Sequence, residues 1–180
     1  IIGDFTNYSY AQMITYIKTL NQKEQIKAYR ELEGLWKIHC KYLNLNPNRN
    51  IEVVFIYGEA GTGKTTYAKR MLDKLGYDYA ISSSSNDPLQ DYMGQKALIL
   101  DDLRDSTFEY EDLLKMLDNN TRTSVKSRFE NKTFNGNMIV ITSPVPIHKW
   151  YRTGRDFEFD KLNQLYRRIS TYIITDPKFI

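Results

Sequence analysis

Five short apolar runs, rich in β-branched and aromatic residues, recur in the chain after residue 50. A run of this length, bounded by polar residues, is typical of a strand buried in a sheet. Between several runs, apolar residues recur every three or four positions, which predicts helices. The predicted strands are residues 51–57, 77–81, 97–100, 138–141 and 171–174, and the predicted helices are 65–75, 109–117 and 159–169. Strands that alternate with helices predict an open α/β sheet.

The first part of the chain, residues 9–43, has a helical pattern instead. Ser9 with Gln12 and Asn21 with Glu24 have the spacing of helix N-terminal caps, so we predict two helices. The second helix carries an apolar stripe, which either packs on the rest of the domain or forms a self-association surface. The stripe consists of Ile26, Tyr29, Leu32, Trp36, Cys40 and Leu43.

A cluster of asparagines around Pro47, at residues 44–50, interrupts the helical pattern. Such a cluster of helix and strand breakers marks a loop, and we place a domain boundary there. It separates a small helical subdomain, residues 1–50, from the main domain, residues 51–180. Within the main domain, residues 87–92 predict the start of a short helix.

The loop after the first predicted strand is rich in glycine and ends in a lysine. Residues 58–65 fit the pattern G-x-x-x-x-G-K-[ST], whose glycines let backbone N–H groups curl around anionic oxygen. The helix that begins there adds the partial positive charge of its N-terminus. A glycine-rich hairpin would leave a lysine followed by two threonines unexplained. We therefore predict a nucleotide-phosphate site formed by Gly58, Glu59, Ala60, Gly61, Thr62, Gly63, Lys64, Thr65 and Thr66.

Paired acids follow the third predicted strand, 37 positions after Lys64. Asp101 would lie at the carboxyl end of a strand beside the glycine-rich loop, where ligands gather in open α/β sheets. Together with the Thr65 hydroxyl, it predicts a Mg²⁺ site, because Mg²⁺ prefers oxygen ligands. Asp102 is a candidate for polarising an attacking water, and the alternative is an acid that caps a helix or a turn.

Two other polar pairs stand where predicted elements end. Thr142 and Ser143 follow the fourth strand, so both are candidates for contacting a γ-phosphate or the attacking water. Arg167 and Arg168 lie at the end of the last helix. Paired arginines there either cap the helix or, in a ring of subunits, reach a neighbour's ATP and offset transition-state charge.

Residues 121–134 alternate well enough for a β-hairpin, and the segment is basic. Cations attract phosphates and rings stack on bases, so the segment is a candidate contact for single-stranded nucleic acid. A solvated surface hairpin would have the same pattern. The cations are Arg122, Lys126, Arg128 and Lys132, and the rings are Phe129 and Phe134.

Composition narrows the picture only slightly. A chain of 180 residues with 41% hydrophobic residues is long enough for one domain with a true core. The net charge of +3 implies no particular partner, so a nucleic-acid surface would have to be local. Cys40 is the only cysteine, which excludes a disulfide framework and a cysteine zinc site. No apolar run approaches the length of a membrane span, so we expect no membrane partner.

Together, these motifs resemble the superfamily 3 helicase domain of rolling-circle replication initiators (Rep), of the circovirus type or of small bacterial plasmids. The similarity covers residues 51–174. It rests on a Walker A motif at 58–65, a Walker B motif at 98–102, motif B′ from 112–114 into the basic hairpin, motif C at 139–143, the pair Trp150 and Tyr151, and an arginine-finger segment at 164–169.

The resemblance implies an AAA+-like P-loop NTPase fold, with a five-stranded parallel-type sheet of order 5-1-4-3-2 and an N-terminal oligomerisation subdomain. It implies ATP and Mg²⁺ as cofactors and a homo-hexameric ring that translocates 3′ to 5′ on single-stranded DNA. Lys64 would hold phosphate charge, Asp102 would orient water, and a neighbour's Arg167 or Arg168 would complete the site. The residues implied to contact DNA are Lys126, Arg128, Phe129 and Lys132.

The chain also departs from that family. Pro144 follows Ser143 where motif C usually ends in asparagine, so the sensor role falls on Thr142 or Ser143. The hairpin lacks the common Lys-Gly pair, which leaves both Arg128 and Lys132 as candidates. The histidine metal motif of the nicking domain is absent, since His39 and His148 are the only histidines.

We therefore expect that this chain does not cut DNA and that a nicking endonuclease domain lies upstream of Ile1. We expect a cytoplasmic location if the replicon is a bacterial plasmid, and the host nucleus if it is an animal virus. Two alternatives stay open: an ATP-dependent DNA-binding loader or adaptor that does not unwind, and a related viral RNA helicase.

Overall fold

A parallel sheet with helices on both faces forms the body of the chain. The structure is a computed structural model that describes residues 10–38, 50–84, 87–119, 134–151 and 159–175. The helices are α1 (Tyr10–Lys18), α2 (Gln22–Ile38), α3 (Lys64–Lys74), α4 (Tyr110–Leu117) and α5 (Phe159–Tyr166). The strands are β1 (Glu52–Tyr57), β2 (Tyr79–Ser82), β3 (Ala97–Leu100), β4 (Met138–Ser143) and β5 (Thr171–Ile174). No helix in these ranges is long and apolar enough to cross a bilayer.

The five strands lie in the order β2-β3-β4-β1-β5, and every neighbouring pair is parallel. This confirms the predicted fold, because the expected order 5-1-4-3-2 is the same sheet described from the other edge. The boundaries differ slightly from those predicted. β2 begins two residues later, at Tyr79, and β4 continues through Ser143.

The register of the sheet aligns the carboxyl ends of three strands. Leu100 of β3 is paired with Ile141 of β4, and Ile56 of β1 is paired with Thr142. One residue past Leu100, Asp101 therefore lies beside Thr142. Since the glycine-rich loop starts after Tyr57, the loop, the acids and the β4 hydroxyl meet at one edge.

Alternate residues of each strand point to opposite faces of the sheet, and both faces are buried. On one face, Val54 and Ile56 of β1 pack with Ala68 and Leu72 of α3. On the other face, Phe55 packs in a larger cluster that includes side chains from α4, α5 and the loop after β4. Both faces of β1 are therefore buried from Val53 to Ile56, which is why residues 53–57 form a continuous apolar run.

Trp150 anchors the larger cluster. It is 1% exposed, and its ring contacts the ring of Phe55 edge to face, with centroids 5.3 Å apart. The indole Nε1–H donates to the Val145 carbonyl at 3.1 Å, so the buried polar atom has a partner. Trp150 therefore fastens the loop after β4 to the central strand.

Two predictions about the middle of the chain are wrong. Residues 87–92 form turns and not a helix, although Leu89 and Tyr92 are buried. Phe134 is not a ring available for stacking on bases, since it is 1% exposed and its ring packs against Tyr92. An aromatic residue at the end of a polar segment looks the same in sequence whether it faces the core or solvent.

The first two helices pack mainly against each other. Asn21 caps α2 as predicted, because its Oδ1 accepts from the Glu24 N–H at 3.0 Å. The predicted stripe is partly wrong, because Ala28 and Leu32 are buried whereas Ile26 and Tyr29 are 55% and 37% exposed. The α1 helix and Met93 cover only a narrow face of α2. The side chain of Trp36, and the residues Cys40 and Leu43, lie outside the described part.

The Trp150 contact leads to a stability prediction. Replacing Trp150 by alanine (Trp150→Ala) removes the ring that fills the space between β1 and the loop after β4. We expect the free energy of unfolding to fall by about 3–5 kcal/mol in urea titrations. The control is Tyr16→Ala, because Tyr16 is 53% exposed on α1 and should change stability by less than about 0.5 kcal/mol. Equal losses for both variants would contradict the assignment of Trp150 as an anchor.

Candidate active site

The loop between β1 and α3 is curled so that its lysine lies inside it. Gly61 and Gly63 have φ angles of 81° and 72°, a left-handed backbone that favours glycine. Lys64, the first residue of α3, is 8% exposed, and its Nζ donates to the Glu59 carbonyl at 2.7 Å. The ammonium group and the N-terminus of α3 thus place positive charge at one point, as an anion site requires.

Gly58 has no room for a side chain. A Cβ at this position would meet the Oγ1 of Thr62 at 2.7 Å and the carbonyl oxygen of Thr175 at 2.8 Å. Thr175 lies just past β5, and its hydroxyl forms a 2.8 Å hydrogen bond with that of Thr62. The end of the edge strand therefore braces the loop. Sequence reasoning missed Thr175, because no motif includes it.

The Asp101 carboxylate joins three elements. Its Oδ1 accepts hydrogen bonds from the Thr65 hydroxyl at 2.6 Å and from the Thr142 hydroxyl at 2.8 Å. Thr65 stands in the first turn of α3 and Thr142 in β4, so one oxygen links the loop helix to two strands. The structure thus brings together the predicted metal pair, Thr65 and Asp101.

Asp102 is held differently. The φ angle of Asp102 is 53°, an uncommon conformation for a residue other than glycine. In this conformation the backbone N–H of Asp102 donates to the Thr142 hydroxyl oxygen at 2.9 Å. Its side chain is 60% exposed and lies 3.6 Å from the guanidinium of Arg104. Thr142 therefore orients both acids, and the carboxylate of the second one is accessible. Arg104 as its partner was not predicted.

The two candidate hydroxyls of β4 have different surroundings. Thr142 contacts both acids, as described above, whereas Ser143 is fully buried. The Ser143 hydroxyl donates to the Val145 carbonyl at 3.0 Å and accepts from the Val145 N–H at 3.1 Å. It thereby closes the turn that contains Pro144. Of the two residues, the geometry favours Thr142 as the one that acts at the acids.

A tyrosine ties the segment after the acids to the loop after β4. The Tyr151 hydroxyl donates to the Phe108 carbonyl at 3.1 Å. The backbone N–H of Tyr151 donates to Asp105 Oδ2 at 3.2 Å. Burial raises the pKa of Tyr151 well above its ordinary value, and the charges of Asp105 and Glu109 raise it further. The phenol therefore stays neutral and keeps donating. Both segments that flank Asp101 and Thr142 are held together in this way.

The two arginines lie far from the loop of their own chain. They precede β5, near Ile51 at the amino end of β1, where they line a groove of about 340 Å³. The length of β5, four residues, separates them from Thr175 by about 13 Å at about 3.3 Å per residue. The Nη1 of Arg168 donates to the Gln164 carbonyl at 2.9 Å, and its Nη2 lies 4.0 Å from Asp118. Arg167 is exposed, and in the described part its guanidinium forms no ion pair.

The hairpin residues predicted to contact DNA lie outside the described residues. These are Lys126, Arg128, Phe129 and Lys132. Among the residues that are described, no three histidine, cysteine, aspartate or glutamate side chains cluster as a metal cage. A metal ion at Thr65 and Asp101 would therefore take its remaining ligands from nucleotide oxygens and water, which is the usual way that Mg²⁺ binds.

The fold and the site define a class of protein. The parallel sheet has the order β2-β3-β4-β1-β5. It carries a phosphate loop after β1, an acid pair after β3, and a polar residue on β4, the strand between them. These are the features of an AAA+-like P-loop NTPase fold. A family model described as RNA helicase matches residues 54–145, about half of the chain. The chain belongs to that family.

One curated relative shares more than the motifs. It is a replication protein of Onion yellows phytoplasma (strain OY-M), 44% identical over 133 residues, which are 73% of this chain and 35% of that protein. The chain therefore spans about a third of the length of the relative that it matches.

Solved structures of yeast Hsp104 are also similar. The S. cerevisiae Hsp104-ADP complex matches at 16% identity, 92% coverage of this chain, 29% of that chain and a TM-score of 0.44. A closed state of Hsp104 with ATPγS and FITC casein matches at 18% identity over 81% of this chain and 30% of that chain, with a TM-score of 0.46. Such loose similarity adds nothing to the strand order and the site geometry.

The contacts of Thr142 lead to a second prediction. Thr142→Val keeps the shape of the side chain but removes the hydroxyl that serves both acids. We expect urea unfolding to show a loss of about 1–3 kcal/mol, because the Asp102 N–H and the Asp101 carboxylate each lose a partner. Thr142→Ser retains the hydroxyl and should lose clearly less. A loss for Thr142→Val no larger than that for Thr142→Ser would contradict the role of these hydrogen bonds, because valine keeps the methyl group and lacks only the hydroxyl.

Proposed function

We propose that this chain is the ATP-driven helicase motor of a replication protein. The observation that carries the proposal is the single Asp101 oxygen that joins the phosphate-loop threonine to the β4 threonine. This arrangement holds a carboxylate against the first turn of the helix that follows the phosphate loop, where a Mg²⁺-bound nucleotide would need one. The membership in the RNA helicase family and the 44% identity to a phytoplasma replication protein support the same proposal.

The residues present suit a magnesium-bound nucleotide. The loop amides and Lys64 would hold the phosphates, and Thr65 and Asp101 supply hard oxygen ligands for Mg²⁺. When bound, the ion neutralises charge on the β- and γ-phosphate oxygens. The chain's own oxygens are already within 2.6 Å of each other, so little rearrangement is needed to offer them to an ion.

The second acid is the proposed water-orienting residue. Its carboxylate is exposed, whereas its backbone is fixed by the bond to Thr142. Turning the Asp102 side chain away from Arg104 costs little, because an exposed ion pair contributes no more than about 1 kcal/mol. Asp102 can therefore move toward a water beside the phosphate while Asp101 stays in place.

The position of the arginines supports a site shared between subunits. Because they stand at the amino end of the sheet, neither can serve the phosphate loop of its own chain without a large movement. In a ring, the proposed homo-hexamer, that end of one subunit would face a neighbour's nucleotide. Arg167 is the better finger, since Arg168 is already bound to Gln164 and lies near Asp118.

We propose single-stranded DNA as the track, with 3′-to-5′ translocation and rolling-circle replication as the context. The basic segment 121–133 is the proposed contact. The family description names RNA, so RNA is the second candidate substrate. Unwinding assays with matched DNA and RNA duplexes decide between them, and unwinding of RNA alone would overturn the DNA assignment.

The central test is Lys64→Ala. Removing the ammonium group leaves the phosphate charge uncompensated inside the loop, so we expect ATP hydrolysis and strand separation to be lost. Circular dichroism should show an unchanged fold, and Lys74→Ala, on the exposed end of the same helix, should retain full activity. Hydrolysis that persists without Lys64 would rule out the mechanism.

The shared site predicts different effects for the two arginines. Arg167→Ala should lower ATP turnover by about 10³-fold or more, the scale known for arginine fingers, without a change in stability. Arg168→Ala should instead lower the unfolding free energy. The control is Arg70→Ala, an exposed arginine on α3.

A mixing experiment tests whether the finger acts between subunits. Lys64→Ala chains keep an intact finger, and Arg167→Ala chains keep an intact loop. Mixed together, they should regain part of the ATPase activity that neither shows alone. Full activity of Arg167→Ala by itself would remove Arg167 from the site.

A further inference from the structure

A second surface, outside the phosphate site, combines aromatic rings with positive charge. It is a groove of about 390 Å³ beside the edge strand β5. Its lining includes Tyr57, His148, Lys149, Tyr166, Tyr172 and Ile174. Three of these are unusually open for large apolar residues: Tyr166 is 42% exposed, Tyr172 is 40% and Ile174 is 68%.

The Tyr172 ring is a rigid platform. One face lies parallel to the buried ring of Phe55, with an angle of 4° and a centroid distance of 5.4 Å. Since Tyr172 is still 40% exposed, the remaining part of the ring is open to the groove. Burial raises the pKa of Tyr172, and the neighbouring phenols of Tyr166 and Tyr57 raise it further, so its hydroxyl stays protonated. A flat, fixed, neutral ring with one open side is suited to stacking.

The formal charge on the described lining of the groove is positive and comes from Lys149. His148 and Lys149 are exposed and lie on the short 3₁₀ turn after β4. No acidic side chain is among the described residues that line the groove, and neither basic side chain forms an ion pair within the described ranges. Rings beside cations favour a ligand that has flat bases and phosphates.

The groove lies on the opposite side of the sheet from the phosphate helix. Tyr57 packs on the face that contains Phe55, whereas Ala68 and Leu72 of α3 pack on the other face. The groove is therefore less suitable for the adenine of an ATP held at Lys64 than for the bases of a separate strand. The groove is nevertheless next to the phosphate loop in the chain, because Tyr57 directly precedes Gly58.

We infer that this groove binds bases of single-stranded nucleic acid, as a second contact besides the basic segment 121–133. The inference rests on the proposed function, in which the domain works on a single strand. A base stacks on Tyr172 or Tyr166, and Lys149 contacts a phosphate of the same strand. A strand in this groove touches the residue before the phosphate loop, which gives it a direct route to the ATP site.

The test measures binding of a fluorescein-labelled dT12 oligonucleotide to the whole 180-residue chain by anisotropy. Tyr166→Ala should weaken binding roughly 5- to 150-fold, the range for losing one base–aromatic stack. Tyr172→Phe keeps the ring and should bind within about twofold of the parent chain, whereas Tyr172→Leu should lose affinity. Lys149→Ala should reduce the salt slope by about 0.7, the value for one phosphate contact on a single strand.

The matched controls are Tyr16→Ala and Lys18→Ala, which remove an exposed tyrosine and an exposed lysine from α1. Neither should change binding. An oligonucleotide that carries 5-iododeoxyuridine, cross-linked by light, should form adducts at Tyr166 or Tyr172 and not at Tyr16. This readout does not depend on the stability of the variants.

Each other outcome overturns the inference. If Tyr166→Ala and Tyr172→Leu weaken ATP binding but leave dT12 binding intact, the groove is an adenine subsite. If they change the mass in solution but not dT12 binding, it is a contact between copies of the chain. If dT12 binds the parent chain and all groove variants equally, the groove is not a strand site, although the proposed function stands. If the parent chain binds no single strand at all, the proposed function itself fails.

Discussion

The structure depends on one carboxylate oxygen. Asp101 Oδ1 is the point at which the helix after the phosphate loop, the acid strand and the neighbouring strand β4 meet through hydrogen bonds. Bonds to a charged acceptor are shorter and stronger than bonds between neutral groups. They are also directional, so the spacing between loop and strands is fixed at this point. The rest of the sheet brings these groups into register.

The loop itself is stabilised from the other side by backbone packing. Gly58 lies against Thr175 so closely that no side chain fits, and Thr62 shares a hydrogen bond with the same residue. The edge strand β5 therefore holds the start of the loop, while Asp101 holds its end at Thr65. Any movement of β5 would be felt by the phosphate loop. This physical link connects the arginines before β5 and the aromatic groove beside it to the nucleotide site.

The two ends of the sheet have separate chemistry. The carboxyl end holds the loop, the acids and Thr142, whereas the amino end holds Arg167 and Arg168. A chain with this division has an incomplete site if the arginines take part in hydrolysis, and a second copy would complete it. This division is the structural argument for the proposed ring. Ile26 and Tyr29 on α2 form a further exposed surface, which the described residues do not bury.

Much of the fold could be predicted from the sequence, because parallel strands are buried on both faces and their apolar runs stand out. The phosphate loop 58–65 and the acids after β3 could also be predicted from the sequence, because phosphate and metal binding restrict both the residue types and their spacing. The pairing of Thr65 with Asp101 followed from these two motifs and the α/β topology. In each case a local pattern carried the information.

Other features were decided only by the tertiary structure. Phe134 faces the core and Ile26 faces solvent, although both side chains are apolar and favour burial; the neighbouring elements determine which of the two is covered. The division of roles between Thr142 and Ser143, and between Arg167 and Arg168, depends on which partners come within hydrogen-bonding distance. Thr175 and the groove beside β5 have no sequence signal, because their neighbours are distant in the chain. Contacts between such residues exist only once the sheet has formed.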